Sequence, residues 1–170
     1  DPTRNEVSAL LAYAEDAAGG LMSPRFARLR PEMTVGEAIR YLQRQAQERL
    51  ETIYYAYVLD QEQRLRGVVS FRDLFAATGD KPISEVMHTD VISVPDTLGE
   101  EEVAQVIARH DLNALPVVDA EGHMKGIVTV DDIVAWENGK DAPKAWEDHV
   151  VVATEILLGA DGQLTEALGL

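Results

Sequence analysis

The feature that most constrains this chain is a repeat within it. The segment Tyr57-Val58-Leu59-Asp60 through Arg66-Gly67-Val68-Val69-Ser70-Phe71-Arg72-Asp73-Leu74 recurs as Pro116-Val117-Val118-Asp119 through Lys125-Gly126-Ile127-Val128-Thr129-Val130-Asp131-Asp132-Ile133. Asp60 and Asp119, Gly67 and Gly126, Ser70 and Thr129, and Asp73 and Asp132 all stand 59 positions apart. A register kept over this length means that one supersecondary unit occurs twice. Met22 and Met87, 65 apart, and Thr34-Val35-Gly36-Glu37 with Thr97-Leu98-Gly99-Glu100, 63 apart, extend the repeat towards the N-terminus.

Both Thr-x-x-Glu sequences read as capping boxes that start a helix, with the Thr hydroxyl and the Glu carboxylate each accepting from a first-turn or cap amide. Val35, Ala38, Ile39, Leu42 and Ala46 follow the first at helical spacing, and Val103, Val106 and Ile107 follow the second. Thr52–Leu59 and Ala114–Val118 are rich in β-branched or aromatic residues and predict buried strands. Polar turns at Asp60–Gln63 and Asp119–Gly122 lead into Leu65–Ser70 and Met124–Thr129, which completes two hairpins. With brief strands at Phe26–Leu29 and Val91–Val94, and short helices from near Asp73 and Asp132, each half reads strand, helix, strand, strand, helix. A unit of about 60 residues buries only about 60% of its chain's surface, so the halves are expected to pack together about a central cleft.

Composition narrows the partners. The chain has 170 residues, 46% of them hydrophobic and 26% charged, which suits a globular core. Lys and Arg total 15 against 30 Asp and Glu, a net charge of -15 that repels nucleic acid and anionic lipid and attracts cations. The same charge also serves plain solubility. The absence of cysteine removes disulfides, thiolate zinc sites and cysteine nucleophiles. No apolar run approaches the ~20 residues of a membrane helix, so the chain is expected to be soluble as given. A start without Met, at Asp1-Pro2-Thr3-Arg4, suggests a piece of something longer.

No Gly-x-Ser-x-Gly elbow, phosphate-binding Gly-x-x-x-x-Gly-Lys loop or His-Glu-x-x-His pair is present, and nothing in the sequence argues for an enzyme. His88, His110, His123 and His149 do not cluster in sequence and read as solvated or capping residues.

Gly67-Val68-Val69-Ser70-Phe71-Arg72-Asp73 and Gly126-Ile127-Val128-Thr129-Val130-Asp131-Asp132, with Leu115-Pro116-Val117-Val118-Asp119 ahead of the second, resemble the CBS domain over about residues 22–136. The resemblance implies an α/β (α+β) fold of tandem CBS modules, 21–82 and 83–137, related by a pseudo-two-fold axis. In CBS modules the motif's hydroxyl lies near phosphate and its carboxylate on ribose, so Ser70, Arg72, Asp73, Thr129 and Asp132 are the candidates for binding AMP or ATP. Free amides and the positive end of a helix suit a phosphate, and a carboxylate accepts from a diol. Simple helix capping explains the same residues equally well. Arg72, with Arg25, Arg28 and Arg30 in the opening strand region, makes the first site the better one for an anion, whereas Asp131 beside Asp132 repels one.

A narrower resemblance rests on Tyr13-Ala14-Glu15-Asp16-Ala17-Ala18-Gly19-Gly20-Leu21-Met22, Glu51-Thr52-Ile53-Tyr54-Tyr55 and Val68–Leu74. These are similar to the junction between the N-terminal domain and the CBS pair of MgtE-type magnesium transporters. That implies a Mg2+-responsive gating region on the cytoplasmic side of a membrane, a homodimer through the CBS modules, a connected pore domain, and residues 1–20 as the end of a preceding helical domain or linker. Magnesium takes oxygen ligands and keeps waters, so apposed carboxylates suffice. Asp96, Glu100, Glu101, Glu102 and Asp131 are the candidates, although Glu100–Glu102 are equally good first-turn residues. The resemblance ends near Asn138, where Asn138–Pro143 is rich in breakers; residues 138–170 are an extension of unknown role in which Trp146–Leu158 is expected to pack on the CBS pair. A soluble adenine-nucleotide sensor and a ligand-free dimerisation scaffold stay open beside the transporter reading.

Overall fold

Alternation of side chains along each central strand gives its sheet two faces, and here the two faces serve different cores. The computed structural model describes residues 13–45 and 54–139. A leading helix α1 (Ala18–Leu21) runs into the first unit, which comprises β1 (Ala27–Leu29), α2 (Val35–Gln45), β2 (Tyr55–Leu59), β3 (Leu65–Ser70) and α3 (Phe71–Ala76). The second repeats it, with a leading helix α4 (Ile83–Val86) and then β4 (Val94–Pro95), α5 (Glu100–His110), β5 (Ala114–Val118), β6 (Met124–Thr129) and α6 (Val130–Gly139). Each unit holds a three-stranded sheet, β1-β2-β3 or β4-β5-β6, with the first strand parallel to the middle one and the third antiparallel to it. Both hairpins slip register at the same place, Val58/Leu59 and Val117/Val118.

Several boundaries differ from expectation. The opening strands are shorter, beginning at Ala27 and Val94, because Phe26 and Val91 turn into the core between the units. The last helices start two residues before Asp73 and Asp132, since Ser70 and Thr129 are the caps: Ser70 Oγ accepts from the Asp73 amide at 3.0 Å and Thr129 Oγ1 from the Asp132 amide at 3.2 Å. Thr52, Ile53, Ala46, residues 1–12 and the Trp146–Leu158 segment lie outside the described residues.

The pairing of Thr34 with Thr97 is the main correction. Thr34 does form the expected box, its hydroxyl accepting from Glu37 N–H at 3.2 Å and its amide donating to Glu37 Oε2 at 2.9 Å. Helix α5, however, is capped by Gly99, not Thr97, and has no side-chain cap bond. The bridges Thr34↔Pro82 and Ala17↔Gly99 correspond at 65 positions, the spacing of Met22 and Met87. Buried Val35, Ala38 and Leu42 of α2 accordingly match buried Glu100, Val103 and Ile107 of α5. The similarity of the Thr-x-x-Glu strings is a coincidence of helix-start composition, and backbone pairing sets the true register.

The units exchange their leading segments. Ala18 and Met22, which precede the first unit, complete the core of the second with Val103, Ile107, Leu115, Val117 and Val128. Ile83, with half-buried Val86 and Met87, completes the core of the first with Ala38, Leu42, Val58 and Val69. The backbone repeats this exchange symmetrically. Val68 and His88 trade two amide–carbonyl bonds of 2.9 Å, and Ile127 and Ser23 trade bonds of 2.9 and 2.8 Å. Across the pseudo-two-fold axis the hairpin tips join through Leu65 N–H to Gly122 O at 3.2 Å and Met124 N–H to Gln63 O at 3.0 Å. Asp60 and Asp119 shape those tips, each accepting from the amides two and four residues on. Between the sheets lies a third core, made of Phe26, Tyr55, Tyr57, Leu59, Val68, Ala114, Met124 and Ile127.

Gly67 and Gly126 exist to let the exchanged segments through. A Cβ on Gly67 would stand 2.7 Å from Met87 Sδ and 3.0 Å from His88 O; one on Gly126 would stand 2.7 Å from Ser23 O. Gly67→Ala and Gly126→Ala are expected to destabilise the fold by about 1–3 kcal/mol, the usual range for overpacking. Gly79→Ala, where a Cβ meets nothing nearer than 3.9 Å, should stay within about 0.5 kcal/mol of the parent in urea unfolding. Equal effects at all three positions would refute the crossing as the reason for these glycines.

Candidate functional site

In antiparallel pairs, residues directly opposite share a face, so Tyr55 with Ser70 and Tyr57 with Val68 look towards the second unit, while Ala56 and Val69 look into the first unit's own core. The second sheet answers with Ala114 opposite Thr129 and Pro116 opposite Ile127. A cleft opens here, lined by Tyr55, Tyr57 and Val68 from one unit and Asp90, Val91, Ile92, Leu112, Ala114 and Pro116 from the other. Across the pseudo-dyad Phe26 stands where Val91 stands in the repeat, and it packs edge-on against Tyr57 at 5.9 Å, with the Arg28 guanidinium 4.0 Å over its ring.

The floor of the open cleft carries an unusual polar group. The Tyr57 hydroxyl is buried with no hydrogen-bond partner, in a residue only 1% exposed. Burial pushes its ionisation far above the ordinary tyrosine range, so it is a neutral donor and acceptor. Leaving such a group unpaired carries a cost that a ligand atom could remove. Tyr55 is less isolated: its hydroxyl is hydrogen-bonded by the Asn113 side chain, and burial raises its pKa as well.

Of the residues expected to bind nucleotide, none lines this cleft directly; Ser70 ends the wall strand β3, Arg72 and Asp73 follow it, and Asp73 is tied to it through His88, which pairs with Val68. Ser70 pairs with Tyr55, Arg72 is exposed, and Asp73 is half-buried with its Oδ2 3.1 Å from His88 Nε2. Thr129 and Asp132 close on each other, the Asp132 carboxylate accepting from the Thr129 amide at 2.9 Å and its hydroxyl at 2.8 Å. The opening arginines do not converge on the site: Arg30 donates to Leu59 O and Asp60 O, and Arg28 stacks on Phe26.

The expected magnesium ligands are not gathered in the single chain. Asp96 is hydrogen-bonded by the Tyr13 hydroxyl, Glu100 is 5% exposed in the place Val35 holds in the first unit, and Glu101, Glu102 and Asp131 are exposed on helix starts. Among the described residues, the cluster whose ligand atoms lie within 4.8 Å of one another is Asp119, Glu121 and His123. Its acid is engaged already, since His123 Nδ1 is 2.9 Å and Lys125 Nζ 3.5 Å from Asp119 Oδ2. Although desolvation opposes it, bonds from the His123 amide and ring hold the Asp119 carboxyl below the usual range. His88 and His123, read from sequence as solvated or capping, are therefore both paired with carboxylates.

Tyr57, His88 and Asp111 were not singled out by sequence reasoning as site residues. Asp111 ends α5 in the left-handed region at φ 55°, and its Oδ1 is buried without a partner. Desolvation raises its carboxyl above the ordinary range. A raised folded-state pKa means that the group contributes stability below its unfolded pKa and loses it as pH rises through the folded value. Ionised at neutral pH, it is a net cost. Asp111→Asn, which keeps tolerance of the left-handed region, is expected to raise the urea midpoint at pH 7, with its advantage over the parent shrinking as falling pH protonates the parent's carboxyl. A lower midpoint at pH 7 would show that the charge is compensated.

Comparison with known proteins fits this geometry. The CBS domain family matches residues 18–80 and 83–139. The magnesium transporter MgtE of Thermus thermophilus is 50% identical over 135 residues, covering 79% of this chain and 30% of the transporter. That of Enterococcus faecalis is 43% identical over 129 residues, covering 76% and 28%. A crystal structure of the cytosolic domain of the Mg2+ channel MgtE in complex with ATP superposes with a TM-score of 0.77 at 49% identity, covering 80% of this chain and 55% of that one. The chain thus spans less than a third of the transporters it matches.

Proposed function

The chain belongs to the CBS domain family, and from that premise we propose that it is the cytosolic, non-catalytic regulatory region of an MgtE-type magnesium transporter, sensing Mg2+ and adenine nucleotide. What carries the reading is the pairing of 50% identity over 135 residues to such a transporter with a fold that superposes on the MgtE cytosolic domain. No described helix is long and apolar enough to cross a membrane, so transport itself belongs to a connected pore domain.

Magnesium sensing rests on charge. Net charge of -15 is concentrated in part on helix starts, Glu101, Glu102 and Asp131 among them, with Asp96 nearby in sequence. Carboxylates offer the hard oxygen donors that Mg2+ takes, and their dispersal over one chain suits ligands shared with a facing domain or subunit. A second copy of the chain is the partner we infer, seated on the apolar groove of Ile39, Leu42, Phe71, Leu74 and Phe75, where Phe75 is 73% exposed. Cation binding between apposed acids relieves repulsion and favours the packed state, and it couples to gating only as far as the ion prefers that state. Titrating Mg2+ against melting temperature and sedimentation should raise the first and compact a dimer in the millimolar range, with Ca2+ less effective. A flat response, or a monomer throughout, would sink the reading.

The nucleotide reading is favoured by the open cleft itself. Tyr55, Tyr57 and Pro116 form walls for a planar base, the Tyr57 hydroxyl lacks a partner, Asp73 suits a ribose diol and Arg72 suits phosphate. The self-closed Asp132 and Phe26 in the place of Val91 favour one site per chain. In calorimetry with AMP and ATP, Asp73→Ala should weaken binding about tenfold or more, the loss of a charged hydrogen bond, while Asp132→Ala should leave it unchanged. Equal losses in both variants would contradict a single site.

A further inference from the structure

The two repeats carry the same Ser/Thr-x-x-Asp motif yet use its carboxylate differently. In the second, Asp132 Oδ2 accepts from the Thr129 amide and hydroxyl, so the acid is spent on its own helix start. In the first, Ser70 alone caps the helix, and Asp73 Oδ2 lies 3.1 Å from His88 Nε2 instead. The residue at the corresponding place ahead of the other repeat is Ser23, whose hydroxyl is occupied at 3.3 Å by the Arg25 amide. The histidine at this one position thus gives Asp73 a partner outside its own helix start, which Asp132 lacks among the described residues.

His88 is well placed for this. Its backbone is fixed by two bonds to Val68, a wall of the cleft, and Asp90 two residues on lines the same cleft. Its side chain is 45% exposed and Asp73's 26%, so neither is locked by packing. An ionised carboxylate has about four lone-pair sites, and one N–H donor engages only one of them.

We propose that His88 is a positioning residue: by holding one oxygen of Asp73 it turns the other towards the cleft, where it accepts the vicinal hydroxyls of a ribonucleotide. The proposal rests on the nucleotide reading of that cleft. A fixed carboxylate binds a diol without first paying to order itself, and it discriminates against a sugar that lacks one hydroxyl, because its acceptor is then left unmatched. His88 thus sets selectivity for ribose over 2′-deoxyribose from a segment that belongs, in sequence, to the opposite unit.

The test compares ATP with 2′-deoxy-ATP by calorimetry on the parent chain, His88→Leu, His88→Gln and Asp73→Asn. The parent should prefer ATP by about tenfold, the value of one hydrogen bond to a charged group. His88→Leu should bring the ratio to within about threefold by weakening ATP while leaving 2′-deoxy-ATP nearly unchanged, a split that general loss of structure would not produce. His88→Gln, which returns an N–H close to the Nε2 position, should restore most of the preference. Should His88→Leu fail to fold, Asp73→Asn must lower the same ratio. A preference that survives in His88→Leu, or a glutamine variant no better than leucine, overturns the positioning role and leaves the nucleotide reading standing. No binding of either nucleotide to the parent overturns both.

Discussion

Everything in this fold depends on the crossing of each unit's leading segment over the partner unit's third strand. Neither half can close its own core: the second lacks Ala18 and Met22 without the chain that precedes the first, and the first lacks Ile83 without the chain that precedes the second. The crossing uses paired backbone bonds at Val68–His88 and Ile127–Ser23, which pass only because Gly67 and Gly126 present no side chain. Two units too small to be comfortable alone are thereby made one cooperative body, and the apolar surface between the sheets becomes a core with a cleft at its edge.

A duplicated unit would be expected to give duplicated sites, and here the pseudo-symmetry is broken at a few side chains. Phe26, packed on Tyr57, stands where Val91 lines the cleft in the other repeat. His88 against Ser23 gives Asp73 a partner outside its own helix start. Arg72 against Asp131 decides which junction attracts an anion. All three differences favour the same cleft. The backbone is symmetric to within hydrogen-bond pairing, so the specialisation lies in side chains, where substitution costs the shared scaffold least.

The hairpins, their register of 59 residues and the capping roles of Ser70 and Thr129 were legible in the sequence because they depend on contacts near in the chain. The start of α5 was not. Thr97 looks like Thr34 in its local string, but the helix begins where Ala17 pairs with Gly99, a contact more than 80 residues away in sequence. The burial of Glu100 is hidden for the same reason: with the register corrected it stands in the first turn of α5 at the place of buried Val35, which no local pattern of acids reveals. The site was half legible. Ser70, Arg72 and Asp73 follow from the motif, whereas Tyr57 and His88 matter only through partners, or the lack of one, that the folded chain supplies.

The cleft's position has a consequence for signalling. Its walls belong to both units, with Tyr55 and Tyr57 on one side and Leu112, Ala114 and Pro116 on the other. A ligand that touches both walls binds best in the packing that brings them together, and so it gains free energy from that packing alone. The segment through His88 adds a second link, because it pairs with β3 of the first unit and runs directly into β4 of the second. Movement of one unit against the other must either carry this segment along or break its bonds to Val68. A cleft ligand of the class proposed thus acts on the packing of the two units, and any second ligand whose binding depends on that same packing is coupled to it equally in both directions.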